Sequence, residues 1–82
     1  MTATATMVDD REDDRLYRVQ AGPPGLPAFL LVSRYGSRMY KNQMVCVWSS
    51  NEEGETVGAP LARYYEAMTH DEAIGRILGA VT

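Results

Sequence analysis

Ala28-Phe29-Leu30-Leu31-Val32-Ser33-Arg34-Tyr35 and Gln43-Met44-Val45-Cys46-Val47-Trp48-Ser49 are the two stretches that decide the fold. Both are apolar runs rich in β-branched and aromatic residues, and both read as strands. Between them, Gly36-Ser37-Arg38-Met39-Tyr40-Lys41-Asn42 has turn residues at each end, so the pair reads as an antiparallel hairpin. Pairing Tyr35 with Gln43 opposes Val32 to Cys46 and Leu30 to Trp48 on one face, and Leu31 to Val47 on the other. Both faces are then apolar, whereas a half-exposed antiparallel strand alternates with polar residues.

Upstream, Leu16-Tyr17-Arg18-Val19-Gln20-Ala21 alternates as an edge strand does. Gly22-Pro23-Pro24-Gly25-Leu26-Pro27 follows, and its three prolines remove three ladder donors, which marks a rigid turn between strands. Downstream, Asn51-Glu52-Glu53-Gly54 is a polar turn and Glu55-Thr56-Val57 a short last strand. The C-terminal third turns helical. Pro60 suits a first helical position, and Leu61, Tyr64, Tyr65 and Met68 fall at i, i+3, i+4 and i+7. Thr69-His70-Asp71-Glu72 has the form of a capping box, ahead of a second helix with Ala73, Ile74, Ile77, Leu78 and Val81 on one face. The fold class expected is α+β: a small antiparallel sheet of three to four strands in meander order, with one or two C-terminal helices packed on one face.

Residues 1–14 read as a disordered acidic tail ahead of a single small domain, 15–82. Thr-Ala alternation gives nothing large to bury, and Asp9-Asp10-Arg11-Glu12-Asp13-Asp14 holds five acids and one base. The whole chain has 82 residues with eight Lys plus Arg against eleven Asp plus Glu, a formal charge of −3. Without the tail, 82 − 14 = 68 residues remain, and chains below roughly 70–80 residues lean on disulfides, metals or oligomerisation. One cysteine and one histidine leave only the last, so a homodimer or an obligate protein partner is expected. Its interface candidates are Leu31, Val45, Val47 and Trp48 on the sheet. Gly75 and Gly79, four apart on the last helix, offer close approach to a partner helix.

No apolar run approaches the roughly 20 residues that span a bilayer. Met1–Thr6 has neither the basic start nor the apolar core of a signal peptide, so a cytoplasmic chain is expected. No catalytic residue, metal site, cofactor or small-molecule substrate is expected. Cys46 lies mid-strand among valines, where a thiol is inert, and His70 stands at a helix N-terminus. The function expected is a non-catalytic interaction module, regulatory or inhibitory, of the size phages and bacteria encode as accessory proteins. The alternative is weak binding of single-stranded nucleic acid by the hairpin loop. There Arg34, Arg38 and Lys41 would hold phosphates while Tyr35 and Tyr40 stack on bases.

Overall fold

The structure, a computed structural model, describes residues 4–20, 25–36 and 43–80. It is an α+β fold: five antiparallel strands in meander order, β1 Thr4–Arg11, β2 Asp14–Gln20, β3 Phe29–Gly36, β4 Gln43–Ser50 and β5 Ala62–Tyr64. One helix, α1 His70–Ala80, packs on β3 and β4.

The hairpin forms as read, but one residue out of register. Gly36 pairs with Gln43, which aligns Val32 with Val47, Leu31 with Trp48 and Ser33 with Cys46. A one-residue slip moves every side chain of one strand to the other face. Leu30, Val32, Val45 and Val47 therefore share the face beneath α1, joined by Tyr17, and all but Tyr17 are fully buried. Ala73, Ile74 and Ile77 come down on them from the helix, and Met68 fills in from the approach to it. The helix begins as its capping signal predicts. The Thr69 hydroxyl accepts from the Glu72 N–H at 3.1 Å, and the Thr69 carbonyl accepts the first turn's bond from Ala73.

Three segments depart from their sequence reading. Thr4–Arg11, expected as solvated tail, is the first strand of the sheet. A strand sends alternate side chains to opposite faces, which divides the acids of the run and gives the two on β1 a base each. Asp9 pairs with Arg11 two residues on, at 2.6 Å, while Asp10 lies opposite Arg15 on β2, at 3.6 Å. Glu12 and Asp13 form the two-residue turn, Glu12 with φ +63°. The Asp13 carbonyl accepts the Arg34 N–H at 2.9 Å and lies 2.8 Å from His70 Nε2, which must carry the proton because a carbonyl only accepts. This turn therefore ties β1 and β2 to both β3 and α1.

The second departure is Leu61–Met68. No helix forms there; the Leu61 N–H bonds to the Val47 carbonyl at 2.7 Å and Ala62–Tyr64 pairs with β4. The stripe at helical spacing spans only two turns, and isolated helices of that length are marginal. The open edge of β4 offers ladder bonds instead. Glu55–Val57 contributes a single bridge, Thr56 to Ser50, not a separate strand.

Candidate interaction surface

The sheet face away from α1 carries Leu16, Leu31, Ser33, Cys46 and Trp48. It is not an open apolar face. Leu16, Leu31 and Cys46 retain only 2%, 6% and 2% of their exposure within the single chain. The connection from β4 to β5 supplies cover. Arg11 is on this face by register, level with Cys46, and β1 lies three strand spacings from β4, about 14 Å. Its guanidinium nevertheless donates to the Glu53 carbonyl at 2.7 Å. The tip 51–55 must bend back over the sheet to make that bond.

Asn51 shapes the tip. Its side-chain oxygen accepts from the Glu53 and Glu55 N–H groups at 3.0 and 2.9 Å, an Asx turn extended by one further bond. Gly54 has φ +88°, a left-handed conformation that favours glycine, and a Cβ there would displace the end of the Arg11 side chain.

This arrangement removes three of the interface candidates from the surface. Leu31 is buried on the tip-covered face, and Val45 and Val47 are fully buried beneath α1. Trp48 is half-buried beside Leu31. Gly75 and Gly79 do lie on the outer side of α1, where an added Cβ would meet nothing within 4 Å. In the hairpin-loop candidate, Arg34 and Tyr35 are both exposed but project to opposite faces, as neighbours in a strand must. Arg38, Tyr40 and Lys41 lie outside the described residues.

The chemistry at the N-terminus of α1 is internal. Tyr17, on the helix-covered face, donates to the Asp71 carboxylate at 2.7 Å, and Arg15 stands 4.0 Å from the same oxygen. Burial, then the Asp71 bond, push the Tyr17 phenol up to about 12 from 10. The sign follows from which state holds the proton more tightly. The folded state does, so Tyr17's contribution is complete below pH 10 and is lost as pH rises through 12. We expect the unfolding free energy of the wild type to fall over that interval by an amount on the order of 2 kcal/mol, and that of Tyr17→Phe to fall less. Parallel pH profiles for the two proteins would remove the assignment.

Cys46 and His70, the one pairing of thiol and imidazole in the chain, sit on opposite sides of the sheet. Burial pushes the Cys46 thiol up, against a smaller opposing effect of Arg63. Among the described residues no group of three or more His, Cys, Asp or Glu side chains is placed to hold a metal ion, and no helix is long and apolar enough to cross a membrane.

Exposed large apolar side chains concentrate at the margins of the sheet. On the β1 edge Met7 and Val8 are 46% and 45% exposed. Along the β5 margin Val57, Leu61 and Tyr65 are 65%, 48% and 72% exposed. The last three belong to one nine-residue segment, whose backbone is pinned to neighbouring points of β4: Val57 N–H to Ser49 O, and Leu61 N–H to Val47 O. Reading Leu61 and Tyr65 as the buried stripe of a helix hid this margin, and reading Met7 and Val8 as tail hid the other. Compared with family models, curated proteins and solved structures, the chain matches none.

Proposed function

We propose that the protein is a non-catalytic, self-associating interaction module of regulatory or inhibitory type, and that it binds another protein through the β5 margin. The observation that carries this reading is the set of three exposed apolar side chains, Val57, Leu61 and Tyr65, on one segment whose backbone is hydrogen-bonded to β4 at Ser49 and Val47. Large apolar residues grouped on a surface mark interaction sites, and an aromatic such as Tyr65 is the usual anchor. Arg63, exposed between Leu61 and Tyr65, adds a polar rim. The separation of Cys46 from His70 favours binding over nucleophilic catalysis. A cytoplasmic setting fits one unpaired, buried thiol.

The test compares wild type with the double variant Leu61→Asp, Tyr65→Asp, both at exposed positions. Each is used to retain proteins from the native host, and the retained species is then purified and the complex reassembled from pure components. A partner that binds wild type and binds the variant at least about tenfold more weakly supports the reading. Equal binding by both, or no partner for either, counts against it.

A further inference from the structure

We infer that β1 is a self-complementary edge, and that two copies of the chain join by antiparallel pairing of β1 with β1 across a two-fold axis, making one continuous ten-stranded sheet. This rests on the interaction-module reading and names the partner for the margin that reading leaves unused.

The order of side chains along the strand selects this partner. Thr4-Ala5-Thr6 is uncharged, Asp9-Asp10-Arg11 is charged, and the exposed Met7 and Val8 lie between them. With the axis between Met7 and Val8, each Met7 faces the partner's Val8. Thr6 faces Asp9, Ala5 faces Asp10, and Thr4 faces Arg11. Each acid thus meets an uncharged residue, and the two exposed apolar side chains cover each other. Parallel pairing would instead stack Asp9 on Asp9 and Asp10 on Asp10, and like charges directly opposite destabilise a sheet. An isologous contact of this kind closes after two copies, as a C2 dimer does.

Other edges of the same molecule fit less well. β5 has only three residues, too few for an eight-residue strand to pair along. Val8 stands at a bulge, where the register against β2 shifts between Met7 and Asp9. Bulges and charges on an edge strand limit indiscriminate pairing. Here they leave one orientation open.

One edge-to-edge ladder covers less than the roughly 1,000 Å² that marks a stable complex, so the dimer dissociates on dilution. Light scattering on the full chain is expected to give twice 9.1 kDa at about 1 mM and 9.1 kDa at about 1 µM. Met7→Lys with Val8→Lys sets four ammonium groups around the axis and is expected to give 9.1 kDa throughout, with an unchanged melting curve because both positions are exposed. Orientation is read from oxidative cross-linking. Val8→Cys is expected to form a disulfide-linked dimer and Thr4→Cys none, since antiparallel pairing puts the two Thr4 positions about 24 Å apart. A wild-type monomer at about 1 mM overturns the proposal, as does a Lys variant that still dimerises, or cross-linking at position 4 but not 8.

The two readings fail separately. Leu61→Asp with Tyr65→Asp is expected to leave the dimer intact, and the Lys pair on β1 to leave partner binding at β5 intact.

Discussion

A chain shortened to begin at Arg15 is expected to lose cooperative thermal unfolding. The deletion removes the strand that pairs with β2 along its whole length. It also removes the Arg11 bond that holds the 51–55 tip over the face of Leu16 and Leu31, and the Asp13 carbonyl that joins β3 to α1. A domain of this size has a total stability of roughly 4–12 kcal/mol. Each lost hydrogen bond that leaves a buried group unpaired costs about 1–3 kcal/mol, and His70, 4% exposed, would be such a group. Exposing Leu16 and Tyr17 adds about 1.5–3 kcal/mol for each side chain. Together these come to about 4–9 kcal/mol, a loss as large as the stability of much of that range. Circular dichroism during heating is the measurement; a sharp transition within a few degrees of the intact chain would mean that residues 1–14 are dispensable after all.

Val47→Asp is the second large effect. Were Val47 an interface residue, aspartate would break a dimer and leave a folded monomer. Val47 instead has no exposure in the single chain, between Val32 on β3 and Ala62 on β5 and beneath α1. A carboxylate there finds no base and no water, and unpaired buried charges belong to the class of substitutions that cost about 4 kcal/mol or more. The variant is expected to be unfolded or aggregated at room temperature, judged by loss of near-ultraviolet dichroism from Trp48 and the tyrosines. A folded monomer would return Val47 to the surface.

The parts of the fold legible in the sequence are those where two local signals agree. Thr69 as cap and the Ala73, Ile74, Ile77, Leu78 stripe specify α1 together, and the helix starts at the next residue after the cap. The β3–β4 hairpin has two strong strands and turn residues between them. Its register was not legible, because apolar residues on both faces make the two adjacent registers equally plausible to a burial argument. Gly36, read as the first loop residue, is the last residue of β3.

Where one signal stood alone, it misled. The acids of 9–14 suggested self-repulsion, yet the compensating bases are Arg11 and Arg15, and only a strand and its neighbour bring Arg15 to Asp10. The helical spacing of Leu61, Tyr64, Tyr65 and Met68 is real, but a two-turn helix lacks the stability to compete with the edge of β4. The candidate surface was hidden by the same two errors, since its exposed residues belong to the segments that changed class. Both sheet faces are apolar enough to need cover, and both are buried within the single chain. The chain's own tip, tied down by Arg11 of β1, contributes that cover on the second face.

Amide hydrogen exchange over residues 4–11 tests the central claim, that these residues form a strand with one edge bonded to β2 and one edge free. In dilute solution the amides directed at β2 are expected to be protected and the intervening ones to exchange rapidly, with the alternation reset at the Met7–Asp9 bulge. Raising the concentration to about 1 mM is expected to protect the outward amides as well, as the second copy pairs. Rapid exchange at every position from Thr4 to Arg11, at every concentration, would contradict the strand itself and with it the edge.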